Sequence, residues 1–154
     1  MIKIGLKAPG FTLPDKDGVQ HSLSQYKGKW VVLFFYPRDN TPGCTIESCK
    51  FRDLQSKFKK LGTVILGVSK DSEKSHVKFV EKNDLNFTLL SDPETKMIDK
   101  YGAWQKQKFM GKEYMGTSRV SYLIDPDGKV TKVYEKVNPI MHPDEVLADI
   151  KDLQ

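Results

Sequence analysis

The chain is predicted to form an α/β fold, a central mixed sheet flanked by helices with an amino-terminal β-hairpin extension, on three observations. Strand and helix signals alternate along the sequence with no repeat or low-complexity linker. Two apolar runs, Trp30 to Tyr36 and Thr63 to Ser69, bracket one helical segment and read as parallel strands of a strand–helix–strand unit. Late in the chain, Asp125-Pro126-Asp127-Gly128 is a strong turn signal between two further strands, which must then be antiparallel. A length of 154 residues with 38% apolar content supports one compact domain, residues 1–154, and is too short for two.

The elements follow in order. Phe11 to Pro14 and Val19 to Leu23 flank Asp15-Lys16-Asp17-Gly18 as an opening hairpin. Trp30-Val31-Val32-Leu33-Phe34-Phe35-Tyr36, β-branched and aromatic throughout, reads as a strand buried on both faces. Thr41 suits an N-cap and Pro42 the first helical position. From Cys44 to about Lys59, residues Ile46, Phe51, Leu54 and Phe58 recur at near-helical spacing. Asp71 is expected to cap a second helix, Ser72 to Asn83, with Val77 and Val80 among its apolar residues. Phe87 to Leu90 reads as a short strand, and Asp92-Pro93 opens a helix reaching about Tyr101. Trp104, Phe109, Met110 and Tyr114 form an apolar cluster in a loop-like stretch, either packing on the sheet edge or forming a pocket wall or partner contact. Arg119 to Ile124 and Lys129 to Tyr134 are the antiparallel pair, and Pro143 to Leu153 closes the chain as a helix.

The chemistry concentrates where the first long strand meets its helix. The only two cysteines, Cys44 and Cys49, both lie at this helix start. Unpaired backbone N–H groups and the positive end of the helix dipole converge on the first turn, and both favour a thiolate over a thiol at Cys44. A buried, inert cysteine is the alternative for that residue alone. Cys49 adds a possible partner. In an intact helix, residues five apart have Cα atoms roughly 8.6 Å apart, whereas a disulfide needs less than about 7 Å. Pairing therefore requires the first turn to unwind, which describes a switch rather than a staple. A thioredoxin-type dithiol has two intervening residues and this chain has four. A zinc site needs about four closely spaced ligands, but His21, His76 and His142 are isolated, so no metal is expected.

The stretch Pro37, Thr41, Cys44 resembles the active-site pattern of the peroxiredoxins, and Cys49 five positions on is similar to their bacterioferritin-comigratory, or Q-type, subfamily. Tyr101 to Trp104, Lys108 to Lys112 and Arg119 to Asp125 resemble that subfamily too, and the likeness runs from about Gly5 to Leu153. The order of elements likewise resembles a thioredoxin-like fold, with Cys44 at the carboxyl end of a central strand, where open α/β sheets place their ligands.

The resemblance implies a thiol peroxidase for hydrogen peroxide and organic hydroperoxides. Cys44 would be the peroxidatic nucleophile, oxidised to a sulfenic acid, and Cys49 the resolving thiol that forms an intramolecular disulfide with it. Thioredoxin or a similar dithiol protein would reduce that disulfide. It further implies that the Thr41 hydroxyl and the Arg119 cation contact the sulfur and the peroxide, that Pro37 shields the pocket, and that Glu47 is a possible partner of the arginine. No cofactor and no metal are implied. A thioredoxin-type disulfide reductase and a non-enzymatic peroxide sensor are the competing classes.

Charge and termini bound the rest. The formal charge of +5 comes from scattered lysines without a basic block or aromatic stripe, so no nucleic-acid partner is expected. The amino terminus has no sustained apolar core or cleavage pattern and no run reaches 18 apolar residues, so a cytoplasmic location without membrane association is expected. By resemblance, the protein is a monomer or weak dimer.

Overall fold

Both faces of the strand β3, Trp30–Phe35, are buried, and its side chains divide between two cores. Val31, Leu33 and Phe35 enter one apolar layer, and Val32 and Phe34, with the following Tyr36, enter the other. This is the outcome expected of an uninterrupted apolar run at a period of two. The computed structural model describes residues 1–154.

Around β3, the remaining elements are β1 (Thr12–Pro14), β2 (Gln20–Ser22), α1 (Pro42–Lys60), β4 (Thr63–Ser69), α2 (Glu73–Asn83), β5 (Thr88–Ser91) and α3 (Lys96–Lys100). They continue as β6 (Trp104–Phe109), β7 (Lys112–Thr117), β8 (Val120–Ile124), β9 (Val130–Tyr134) and α4 (His142–Leu153). A five-stranded sheet runs in the order β5-β4-β3-β8-β9. The β3–β4 and β4–β5 pairs are parallel, and the β3–β8 and β8–β9 pairs antiparallel. Phe51 and Phe58 of α1, Phe79 of α2 and Val146, Leu147 and Ile150 of α4 fill one side. On the other side lie Met97 and Ile98 of α3, and Phe11, Leu13, Leu23 and Tyr26 of the amino-terminal hairpin region pack against the same core layer. The mixed sheet flanked by helices, with a β1–β2 hairpin extension, is the thioredoxin-like arrangement expected.

Several local expectations are corrected. Ser72, not Asp71, caps α2: its hydroxyl accepts from the Ser75 N–H at 3.1 Å. The Asp71 carboxylate instead accepts the Asp39 N–H at 2.8 Å and the Ser69 hydroxyl at 2.7 Å. The buried residues of α2 are His76 and Phe79, while Val77 and Val80 are half-buried. Asp92-Pro93 begins a turn rather than a helix; α3 starts only at Lys96, after Thr95 in the left-handed region at φ 59°. The Asp92 carboxylate accepts the Ile98 N–H at 2.9 Å.

Residues 104–117 form a hairpin rather than a loop, turned at Met110 and Gly111, whose φ values of 51° and 79° suit a two-residue turn between right-twisted strands. The packing alternative for its apolar residues holds only for Trp104, which lies half-buried against the core. Phe109, Met110 and Tyr114 are exposed.

Candidate active site

Thr41 is the N-cap of α1 and Pro42 the first helical residue, as the sequence predicts. Asn40, in the left-handed region at φ 63°, turns the chain from the loop into that cap. The Thr41 hydroxyl does not cap the helix: it donates to the Arg38 carbonyl at 2.9 Å. The Thr41 carbonyl accepts the Thr45 N–H at 2.9 Å as the first helical bond, which leaves the Gly43 and Cys44 N–H groups without a helical acceptor. Cys44 thus sits in a turn with free donors and a positive dipole end.

Cys44 is fully buried, packed in the core layer with Tyr36 and Phe51, and both cysteines are free thiols. Cys49 is half-buried one and a half turns on, its sulfur 3.8 Å from Asn83 Oδ1 of α2. Both sit on an unbroken α1, so in this state the thiols are held apart by the helix itself.

Arg119, the residue before β8, reaches this turn from the neighbouring strand. A Cβ at Gly43 would lie 2.5 Å from Arg119 Nη2 and 3.2 Å from its Cζ. The guanidinium therefore occupies the space that any other residue at position 43 would fill. Its Nη1 is 3.5 Å from Glu47 Oε1 and its side chain is 21% exposed, so the cation is partly open to solvent. Pro37 is half-buried where β3 gives way to the loop.

Glu47 is buried, and its second oxygen, Oε2, has no hydrogen-bond partner. Burial pushes its carboxyl up to about 8, against the opposing pull of Arg119. At neutral pH the carboxyl is then mostly protonated, which leaves the charge of Arg119 uncancelled beside the cysteine turn.

Two expected results arise here. The alanine methyl of Gly43→Ala displaces the flexible end of Arg119 and leaves the fold intact, because Gly43 is helical and alanine is the better helix former. The melting temperature should hold or rise while the second-order rate with peroxide falls about tenfold, as a preorganised donor withdraws. An unchanged rate detaches Arg119 from the chemistry.

The second concerns pH. The Glu47 carboxyl binds its proton more tightly in the folded state, at about 8, than at its ordinary value of 4.5. Its contribution to stability is therefore complete below about 4.5 and is lost as pH rises through 8. In Glu47→Gln, which has no such proton to lose, stability should decline less across that window, by on the order of a few kcal/mol. Melting curves of the two proteins that run parallel from pH 5 to 8 refute this.

Sequence reasoning missed a second cluster. The Asp39 carboxylate is buried, accepts the Tyr36 hydroxyl at 2.6 Å and the Ser75 hydroxyl at 2.8 Å, and lies 2.8 Å from His76 Nδ1. The 3.6-residue period offered a signal, since His76 lies three residues before the core residue Phe79. His142, also set aside by sequence, is buried at the start of α4, with Nε2 2.8 Å from the Ser121 hydroxyl and Nδ1 3.1 Å from Glu145.

Comparison with known proteins gives the family of the chain. Residues 4–133 match the model of the AhpC/TSA family. The chain is 47% identical to Peroxiredoxin Bcp of Bacillus subtilis over 152 residues, covering 99% of this chain and 97% of that protein. Against Peroxiredoxin Bcp of Escherichia coli it is 43% identical over 151 residues, covering 98% and 97%. Among solved structures, the bacterioferritin comigratory protein of Xanthomonas campestris, studied for alkyl peroxide reduction, superposes with a TM-score of 0.91 at 35% identity, covering 98% of this chain and 99% of that one. A cysteine-to-serine mutant of PrxQ from Xylella fastidiosa gives a TM-score of 0.94 at 30% identity, covering 99% and 98%.

Proposed function

This chain belongs to the AhpC/TSA family as a peroxiredoxin and is a thiol-dependent peroxidase, and from that premise we propose that Cys44 is its peroxidatic nucleophile and Cys49 its resolving thiol. The observation that carries the assignment is the position of Cys44 in the first turn of α1, with the Arg119 guanidinium packed on its neighbour Gly43.

In this reading the Cys44 thiolate attacks one peroxide oxygen, the O–O bond breaks, and water or an alcohol leaves after taking a proton. Arg119 and the free N–H groups of the turn stabilise the charge that develops on the oxygens. The Thr41 hydroxyl turns from the Arg38 carbonyl to the incoming peroxide, and Pro37 shields the pocket. Glu47, buried and largely neutral at pH 7, holds the arginine without neutralising it.

The Cys44 sulfenic acid then condenses with the Cys49 thiol, releasing water and forming a disulfide. That step needs the first turn of α1 to unwind, because residues five apart on a helix are too distant to bond. Attack by one thiol of a dithiol protein, here thioredoxin, opens the disulfide, and its second thiol completes the exchange.

Hydrogen peroxide and organic hydroperoxides are the proposed substrates, the latter supported by the alkyl peroxide reduction studied in the Xanthomonas relative. We place the protein in the cytosol as a single-domain monomer or weak dimer. No helix is long and apolar enough to cross a membrane. The test is NADPH consumption with hydrogen peroxide, thioredoxin and thioredoxin reductase. Turnover supports the full cycle, while oxidation of Cys44 without turnover retains the nucleophile and removes thioredoxin as the reductant.

A further inference from the structure

Asp39 lies in the loop between β3 and α1, two residues before Thr41 and five before Cys44, yet it is buried with a carboxylate engaged in three hydrogen bonds. Two of the partners, Ser75 and His76, belong to the first turns of α2. The third, the Tyr36 hydroxyl, follows β3 directly, and burial together with the Asp39 charge holds it well above the ordinary tyrosine range, so it remains a donor. The Asp39 backbone is fixed as well, its N–H donating to Asp71 at 2.8 Å.

His76 is fully buried between two acceptors: Nδ1 faces the Asp39 carboxylate at 2.8 Å and Nε2 the Leu90 carbonyl at 3.1 Å. A carbonyl oxygen only accepts, so Nε2 carries a proton. The second contact then needs one further proton, on either the histidine or the carboxylate. Such a pair is weak evidence for stability, since apolar residues of the same volume often hold a core equally well. What a fully satisfied buried polar network supplies is one specific geometry. Here that geometry is the path of the loop that carries Thr41 and delivers Cys44.

We propose that Asp39 and His76 are positioning residues for the peroxide reaction, a buried latch that fixes the Pro37–Thr41 loop on α2 so that Thr41 and the first turn of α1 meet the peroxide in register. The inference rests on Cys44 being the nucleophile. Helix α2 serves both thiols: its amino-terminal end holds the loop before Cys44, and Asn83 at its carboxyl end touches Cys49.

The test compares wild type with Asp39→Ala and Asp39→Asn, all measured below their melting transitions. Three quantities are read: amide exchange over residues 40–45, the second-order rate with hydrogen peroxide, and the rate at which thioredoxin reduces the oxidised protein. Alanine removes all three side-chain contacts. It should speed exchange in the loop about tenfold or more and slow the peroxide step by about 10²-fold, the scale of a reacting group misplaced by an ångström. Reduction by thioredoxin should be unchanged.

Asparagine is the informative rescue. Its carbonyl oxygen can accept from Tyr36 while its two N–H bonds donate to the Ser75 hydroxyl oxygen, which reverses its role, and to Nδ1 of a neutral His76 that still donates from Nε2 to Leu90. Asp39→Asn should therefore stay within about threefold of wild type, because every buried group keeps a partner.

An alanine variant that is folded, with loop exchange and peroxide rate as in wild type, overturns the proposal. An asparagine variant as impaired as alanine also overturns it, because charge rather than hydrogen bonding then matters. If Asp39→Ala does not fold, Ser75→Ala removes one donor and keeps the Asp39–His76 contact. A smaller rise in loop exchange and a smaller fall in peroxide rate support the latch, and no change in either refutes it. Should wild-type Cys44 not react with peroxide, the nucleophile assignment falls, and loop exchange alone decides whether the latch exists.

Discussion

Cys44→Ser is expected to reduce peroxide consumption in the thioredoxin-coupled assay to background. The substitution removes one atom type and almost no volume, but it exchanges a group that ionises readily for one that does not. A serine could act only with a general base beside it. The site offers little: Arg119 is a cation, and burial holds the Glu47 carboxyl near 8, so at pH 7 most of it already carries a proton. The fold should survive, since a buried hydroxyl without a partner costs about 1–3 kcal/mol, a few degrees of melting temperature in a domain of this size. Circular dichroism and melting separate inactivity from unfolding. A folded Cys44→Ser protein that retains wild-type turnover removes the nucleophile assignment.

The sheet and three of the four helices were legible because their signals are local and strong. Trp30 to Tyr36 carries the signature of a strand buried on both faces, and the Thr41-Pro42 cap marks the helix start that displays Cys44. The β6–β7 hairpin was not legible, because Lys106, Lys108, Lys112 and Glu113 give it no continuous apolar face, and its turn uses Met110 at a positive φ that sequence does not announce. The late start of α3 is similarly hidden, since Thr95 adopts a left-handed conformation unusual for a β-branched residue.

For the site, the residues contiguous with Cys44 could be found from motif spacing, whereas what surrounds them depends on tertiary contacts. Arg119 approaches Gly43 across the sheet, a juxtaposition set by the pairing of β3 with β8. The resemblance offers Glu47 only as a possible partner of the arginine; that the fold buries it and thereby raises its proton affinity is a tertiary effect. Asp39 and His76 are 37 residues apart and meet only because α2 packs beside the loop. The helical period marks His76 as inward-facing, beside Phe79, but nothing local announces the Asp39 it meets, since charged residues in the core are rare.

Cys49→Ser should separate the two halves of the cycle. The helix holds Cys49 away from Cys44 in the thiol state, its sulfur against Asn83 and only half-buried, so it takes no part in forming the sulfenic acid. The first oxidation should therefore proceed at the wild-type rate, one equivalent of peroxide per protein. What is lost is the tethered attack of the second thiol. An intramolecular thiol, once the first turn unwinds, outcompetes dissolved thiols by orders of magnitude in effective concentration, so thioredoxin-linked turnover should fall by about 10²-fold or more. The sulfenic acid should persist long enough to be trapped by a dimedone-type reagent, and excess peroxide should drive it on to the sulfinic acid, visible by mass. If first oxidation slowed in parallel with turnover, Cys49 would belong to the peroxide site itself. If turnover were unchanged, the reductant would attack the Cys44 sulfenic acid directly, and the unwinding of α1 would have no place in the cycle.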